Sequence, residues 1–274
     1  MMKAKKILFI NQEIKPYVPD SELSLIGRQL PQTAIENGYE IRAFMPKWGN
    51  INERRGQLHE VIRLSRMMII FDETDHPLII KVASIPSTRI QVYFIDNDDY
   101  FTKRQMACDE NGNEYNDNGE RSIFFARGVL ETIKKLHWNP DIIHCQGWIG
   151  SIIPYYVKTA YKDEPSFANA KIVTSLFSDG LKNDIEPTFR QCLEFKDAHS
   201  DVLDNYNEKF DFTEFQKFAI DYSDGVVEVG EGVNKELVEY AKAKGMPFLS
   251  QPNAAEINAD DYDKFYEKVF GNNK

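Results

Sequence analysis

The stretch PDIIHCQGWIGSIIPYY, residues 140–156, decides the fold of this chain. A short apolar run leads into polar residues that begin at His144, and a second apolar run follows at residues 149–157. This pattern is typical of a buried parallel strand that ends and turns into a packed helix. Ligands of open α/β sheets bind outside the carboxyl ends of the strands. We therefore expect the residues from His144 to Trp148 to lie at such an end.

Apolar runs of strand length recur along the rest of the chain and alternate with helical patterns. The alternation predicts an α/β fold with a Rossmann-like, mostly parallel sheet flanked by helices. Three of these runs, at residues 67–71, 78–83 and 90–95, lie too close together for helices between them. We expect these three to pair partly antiparallel, as a β insertion on the parallel sheet. The remaining strands are predicted at residues 6–11, 40–45, 171–176 and 225–229.

Helical periodicity is strongest at residues 121–136, where Arg127 falls on the polar face opposite a broad apolar arc. A second helix is expected after the first strand. Asp20 or Ser21 is suited to be its N-cap. A proline inside a helix removes a backbone donor and clashes with the preceding turn, so Pro31 should kink or divide this helix.

The end of the chain predicts a helix at residues 260–270 that carries four apolar side chains on one face. We expect this face to dock on the rest of the chain, because burying it removes a large apolar area from water. The expected organisation is a single Rossmann-like domain at residues 1–250. Residues 251–274 then form a connector and the docked helix. The polar residues 96–120 should form a long surface loop.

Composition restricts the possible partners. Of the 274 residues 42% are hydrophobic and 28% are charged, which supports a sizeable core. The net charge of −10 and the pI of about 5.1 disfavour binding to nucleic acid or to anionic membranes. A neutral glucan is indifferent to this charge. The sequence gives no indication of an oligomeric state.

The cysteines and the amino terminus indicate the compartment. Cys108, Cys145 and Cys192 are widely spaced and predict neither a disulfide framework nor a metal site. The apolar run at residues 7–10 is too short for a signal peptide, and no stretch is long enough to span a bilayer. We expect a cytoplasmic protein without a metal or another cofactor.

Three segments of the sequence resemble the glycogen/starch synthase family. They are KKILFINQEIKPY at residues 5–17, VYFIDNDDYF at residues 92–101 together with YNDNGERSIFFARGVLE at residues 115–131, and WNPDIIHCQGW at residues 138–148. Members of that family are retaining glucosyltransferases with the GT-B fold, in which two Rossmann-like domains face each other across a cleft. The resemblance covers only the N-terminal domain and implies a single half of that fold.

The resemblance implies candidate residues for a cleft or a glucan site, which are His144, Gln146, Trp148, Asp117 and Asn118. In the family signature His-x-His-Asp-Trp, the second histidine lies near the transferred sugar. Here Gln146 takes that place, and its amide can hydrogen-bond a hydroxyl but cannot titrate. The residues alone leave alternatives open. His144 can be a structural histidine, Trp148 a core residue, and Asp117 with Asn118 a helix cap.

The family also has a loop Lys-x-Gly-Gly-Leu-x-Asp against the donor diphosphate, and here the matching positions are degenerate. Pro19 stands for the lysine, Ser21 and Glu22 for the glycines, and Leu25 for the aspartate. Glycines let backbone N–H groups approach a phosphate closely, and a lysine offsets its charge. The residues present predict a capped surface helix instead. No catalytic residue is assigned.

Two functions remain open after these comparisons of motifs. The first is a glycogen synthase-like N-terminal domain without autonomous transferase activity. Such a pseudoenzyme would bind a glucan or a partner protein in glycogen metabolism. The alternative is a shortened or split glucosyltransferase that uses ADP-glucose or UDP-glucose to extend an α-1,4-glucan. The degenerate loop and Gln146 favour the first.

Overall fold

The computed structural model describes residues 4–71, 73–185 and 188–271, and its centre is a mixed sheet. The strands in the described ranges are β1 (Lys6–Asn11), β2 (Glu40–Pro46), β3 (His59–Glu60), β4 (Met67–Phe71), β5 (Thr74–Ser84), β6 (Gln91–Asp96), β7 (Ile142–Gln146), β8 (Lys171–Leu176), β9 (Gly225–Val229) and β10 (Phe248–Gln251). The helices there are α1 (Glu22–Glu36), α2 (Glu53–Gly56), α3 (Asn118–Lys135), α4 (Ile153–Lys158), α5 (Phe189–Leu193), α6 (Phe212–Asp221), α7 (Lys235–Ala243) and α8 (Ala259–Val269).

The strand order is β10-β9-β8-β7-β1-β2-β6-β5-β3, and β4 pairs with β5. Neighbouring strands are parallel from β10 to β6, whereas β5 runs antiparallel to β6, β3 and β4. The prediction of a mostly parallel α/β sheet with an antiparallel β insertion is therefore confirmed. The sequence pattern missed β10, because its short run lies between Pro247 and Pro252 and resembles a connector.

Helix α1 continues through Pro31 without interruption, so the expected division of the helix does not occur. Pro31 is buried with the apolar side of the helix. Gly27, four residues earlier, allows the helix to lie directly on the preceding loop. A Cβ atom at Gly27 would come within 2.2 Å of the backbone oxygen of Glu13. Packing of this face thus outweighs the one backbone hydrogen bond that a proline removes.

Residues 103–117 are irregular and exposed or half-buried, in line with the predicted surface loop, but the beginning of the polar segment 96–120 departs from it. Tyr100 and Phe101 are buried within a short π-helical turn at Asp98–Thr102. The prediction for Arg127 is also wrong, because this side chain is only 5% exposed. Its guanidinium lies 3.7 Å from the ring centroid of Phe195 and donates a hydrogen bond to the carbonyl of Ile70. Both predictions fail because the contacts that bury these side chains come from residues distant in the sequence.

Helix α8 covers the sheet with an aromatic face. The side chains of Tyr262, Phe265, Tyr266 and Val269 are buried. A Cβ atom at Gly225 would come within 2.7 Å of Val269 and 3.1 Å of Phe265, so the absence of a side chain there lets α8 approach β9. No helix in the described ranges is both long and apolar enough to cross a membrane.

Replacing Phe265 with alanine should lower the free energy of unfolding by about 3–5 kcal/mol, because it leaves a cavity between α8 and β9. Urea denaturation followed by circular dichroism measures this change. Lys264→Ala, at an exposed neighbouring position of the same helix, should change stability by less than about 0.5 kcal/mol. Equal effects of the two substitutions would show that α8 does not depend on this contact.

Candidate functional site

The ring of His144 lies in the interior of the protein. Its side chain is fully buried in the middle of β7. Nδ1 lies 2.8 Å from the hydroxyl oxygen of Tyr266, and Nε2 lies 2.7 Å from the hydroxyl oxygen of Ser175. Burial lowers the pKa of His144 to about 3, so the ring is neutral at physiological pH. Both ring nitrogens are engaged, which leaves neither free for a sugar.

Gln146 occupies the last position of β7, between Asn11 of β1 and Ser175 of β8. Its side chain is fully buried, and neither amide atom has a hydrogen-bond partner in the described part of the chain. Oδ1 of Asn11 is buried and unpartnered in the same way. A buried polar atom without a partner costs about 1–3 kcal/mol. These two adjacent buried amides lie at the carboxyl ends of β7 and β1, and we name them the polar floor.

Trp148 is a core residue in this structure, with a side chain only 3% exposed. Its ring centroid lies 6.2 Å from that of Trp48. Its backbone N–H donates a hydrogen bond to Oε1 of Gln12 over 3.0 Å. Gly147 has a φ of +85°, and a Cβ atom there would come within 2.5 Å of the Gln12 side chain. Glycine at 147 is thus required by Gln12, which fills the space that an aspartate would need.

The N-terminus of α1 is closed by side chains of its own loop. Ser21 is the N-cap, and its hydroxyl accepts a hydrogen bond from the backbone N–H of Ser24 over 2.9 Å. The same hydroxyl donates to the carboxylate of Glu13. Lys15, which is a cation in this loop, pairs with Asp20 at 2.7 Å. Ser21 therefore satisfies one backbone N–H of the helix start, and the nearby lysine already has a carboxylate partner.

Two further carboxylates lie close to the N-terminus of α1. A Cβ atom at Gly230 would come within 2.4 Å of a carboxylate oxygen of Glu22, which places that carboxylate against the loop after β9. Burial raises the pKa of Glu13, hydrogen bonds from Ser21 and Gln12 oppose this shift, and the nearby charge of Asp179 adds to it. The described residues contain no group of three or more His, Cys, Asp or Glu side chains arranged to hold a metal ion.

Asp117 and Asn118, at the start of α3, hold the preceding loop. Asp117 forms a two-pronged ion pair with Arg104 and makes no side-chain hydrogen bond to the helix start. The amide of Asn118 donates to the carbonyl of Ala107 over 3.0 Å, and its Oδ1 accepts from Arg121 over 2.8 Å. Both side chains are therefore occupied by partners within the protein, and their role here is structural.

Arg121 of α3 holds that loop together through hydrogen bonds to its backbone. Its guanidinium is fully buried and donates to the backbone carbonyls of Tyr100, Gln105 and Met106. Burial lowers the pKa of Arg121 to about 9, so it remains charged at neutral pH. Carbonyl dipoles and the faces of Trp48 and Tyr115 surround this charge.

A cavity of about 730 Å³ opens next to the start of α3. Its lining includes the amides of Asn116, Asn183 and Asn207 and charged side chains of both signs, which are Asp184, Arg190, Glu208 and Lys209. The rings of Phe189 and Phe210 stack in its wall, with centroids 5.8 Å apart and planes inclined by 15°. Sequence reasoning missed this cavity. Its residues come from short helices and turns without a periodic pattern.

Comparisons with known proteins agree with this architecture. A family model described as starch synthase catalytic domain matches residues 6–249. A glycogen synthase from Chlorobium luteolum is 41% identical over 172 residues, which are 62% of this chain and 35% of that protein. A glycogen synthase from Chlorobaculum parvum is 33% identical over 233 residues, or 85% of this chain and 47% of that protein. The chain thus spans less than half the length of these relatives.

The fold is also similar to a solved structure, that of the catalytic domain of starch synthase IV from Arabidopsis thaliana, described as bound to ADP and acarbose. The TM-score is 0.67 at 17% sequence identity, and the match covers 92% of this chain and 52% of that chain. At this identity the match supports the fold and says nothing of individual site residues.

The contact between Tyr266 and His144 predicts a difference between two tyrosines of α8. Tyr266→Phe leaves a ring nitrogen of His144 buried without a partner and should lower the free energy of unfolding by about 1–3 kcal/mol. Tyr262→Phe removes a buried hydroxyl that has no partner in the described residues, so stability should stay the same or rise. Thermal denaturation of both variants measures the difference, and the opposite order would contradict the geometry at His144.

Proposed function

Since the chain belongs to the starch synthase catalytic domain family, we propose that it is a glycogen synthase-like domain that binds α-glucan but does not transfer glucose by itself. The observation that carries the proposal is the closed, acidic start of α1. In this proposal residues 1–250 form the binding domain, and residues 251–274 form the connector and docked helix that complete it.

Charge supports the absence of transferase activity. Transfer from a sugar nucleotide needs positive groups or N–H dipoles aimed at the departing diphosphate. Ser21 already caps the helix N-terminus, and Lys15 is paired with Asp20 at the surface. Two like charges about 5 Å apart repel by roughly 3 kcal/mol at an effective dielectric constant near 20. A carboxylate such as Glu22 at this place would therefore oppose a diphosphate.

The polar floor gives a second reason. Gln146 stands where the resemblance implies a histidine near the transferred sugar, and an amide cannot exchange a proton. His144 is sealed by Tyr266 and Ser175. The loss of one preorganised donor in a catalytic site lowers rates by a factor of about 10² to 10³. Several such groups are replaced together here.

The cavity beside α3 supports glucan binding. Carbohydrate sites combine an apolar platform with a few polar side chains that can bond hydroxyl groups, and this wall offers Phe210 together with Asn116 and Asn207. The cavity volume of about 730 Å³ falls in the range of about 300–1,000 Å³ usual for small-molecule sites. A neutral glucan also avoids the repulsion that the acidic surface exerts on anions.

Calorimetric titration tests this proposal. Maltooligosaccharides should bind the parent chain, whereas ADP-glucose and UDP-glucose should not. Asn207→Ala removes a hydrogen-bonding side chain from the cavity wall and should weaken glucan binding about tenfold, because one hydrogen bond contributes about 1 kcal/mol or somewhat more. Asn169→Ala, at an exposed position away from the cavity lining, is the matched control and should leave binding unchanged.

Three results would overturn the proposal or a part of it. A parent chain that binds no maltooligosaccharide would refute the glucan-binding function. Tight binding of a sugar nucleotide would favour the alternative of a shortened or split glucosyltransferase. Glucan binding that Asn207→Ala leaves unchanged would move the site away from this cavity.

A further inference from the structure

The wall of the cavity beside α3 includes a stretch of chain without regular secondary structure. Residues 177–185 follow β8, and in the structure they belong to no helix or strand. Asn183, Asp184 and Ile185 of this stretch line the cavity. Because ordering each residue costs conformational entropy, such a backbone needs partners from other parts of the chain to keep one conformation. We name residues 182–185 the wall segment.

A carboxylate from the loop before α3 supplies two of these partners. Oε1 of Glu114 accepts the backbone N–H of Lys182 over 2.6 Å, and its Oε2 accepts the backbone N–H of Asn183 over 2.8 Å. Hydrogen bonds to an ionised carboxylate are shorter and stronger than bonds between neutral groups. The backbone N–H of Ile185 donates over 3.0 Å to the carbonyl of Phe210, another residue of the lining. The wall segment therefore has three fixed backbone amides.

A second carboxylate holds the chain at the start of α5. Oε1 of Glu120, in the first turn of α3, accepts a hydrogen bond from the hydroxyl of Thr188 over 2.6 Å. Thr188 directly precedes Phe189, which lines the cavity. The other oxygen of Glu120 accepts a bond from the hydroxyl of Tyr100 over 3.3 Å, so the carboxylate is itself oriented. The start of α3 and the loop before it are thus joined to the cavity wall at two places.

We propose that Glu114 and Glu120 are positioning residues, which hold the cavity wall in its ligand-binding conformation without contacting the ligand. Neither side chain belongs to the cavity lining. A wall that is ordered before the ligand arrives lowers the entropy cost of binding and so raises the affinity. The inference rests on the proposed glucan site and gives two carboxylates outside the lining a part in its affinity.

Exposure separates this positioning role from a general contribution to stability. The bonds from Lys182, Asn183 and Thr188 to the two carboxylates lie at the surface. When a carboxylate is removed, water can bond to the released donors, so the stability of the fold should change little. The ligand, however, must then order the wall segment when it binds. The proposal therefore predicts a loss of affinity without a matching loss of stability.

Calorimetric titration of the full chain with maltoheptaose tests the proposal. Glu114→Ala removes both acceptor oxygens and should weaken binding about tenfold, while the melting temperature stays within about 2 °C of that of the parent. Glu114→Gln keeps one acceptor oxygen and should lose less affinity. Thr188→Val removes the hydroxyl that Glu120 binds and should weaken binding about threefold to tenfold. Thr188→Ser keeps a hydroxyl and should bind like the parent.

Hydrogen exchange gives a readout that does not depend on the ligand. The backbone amides of Lys182 and Asn183 should exchange at least about tenfold faster in Glu114→Ala than in the parent, because their acceptor is lost. Glu110→Ala is the matched control, since it removes a carboxylate from an exposed position of the same loop. It should change neither the exchange of these two amides nor the affinity for maltoheptaose.

The outcomes distinguish this inference from the proposed function. If the parent binds maltoheptaose and Glu114→Ala binds it equally well, the positioning role is overturned while the glucan-binding function stands. An equal loss of affinity in Glu110→Ala, or equal affinities of Thr188→Val and Thr188→Ser, would also overturn the role. A fall in melting temperature with faster exchange across the whole chain would show that Glu114 supports the fold instead. A parent chain that binds no maltoheptaose would refute the proposed function, and this inference with it.

Discussion

Two hydrogen bonds of the buried His144 ring connect the centre of the sheet to a neighbouring strand and to helix α8. They join β7 to β8 through Ser175 and to α8 through Tyr266. Burial keeps this imidazole neutral, so one ring nitrogen donates a hydrogen bond and the other accepts one. Because α8 is fixed here, its aromatic face covers β7 to β9. The position that a catalytic cleft would use is thereby part of the core.

The departures from the family motifs fit one another. Gly147 makes room for Gln12, Ser21 caps α1 and bonds Glu13, and Asp20 neutralises Lys15. Each residue that differs from the family motif has a contact partner within the chain. The loop is therefore a stable structure, and its charge differs from that of the family's loop. The loop is acidic, which suits a neutral ligand and disfavours a sugar nucleotide. The proposed function follows from this arrangement of charges.

The sequence predicted the parallel strands well, because their continuous apolar runs report burial on both faces. It could not predict the burial of Tyr100 and Phe101 at the beginning of the polar segment 96–120. Arg121 bonds the carbonyls of Tyr100 and Gln105 from another element, and no local pattern records that contact. Gln146 ends β7 and Trp148 follows it, whereas His144 lies in the middle of the strand. The contacts that His144 and Trp148 make come from Tyr266 and Gln12, far away in the chain, which no local pattern reveals. The cavity beside α3 had no signal in the sequence, since short irregular segments line it.

The measurement that tests the central claim most directly is the incorporation of labelled glucose into glycogen by the purified chain, with ADP-glucose and UDP-glucose as donors. The closed, acidic start of α1 and the amide of Gln146 predict incorporation at the background level with both donors. Turnover above background that disappears in a folded Gln146→Ala variant would contradict the account, because it would show that the polar floor of this site performs the transfer.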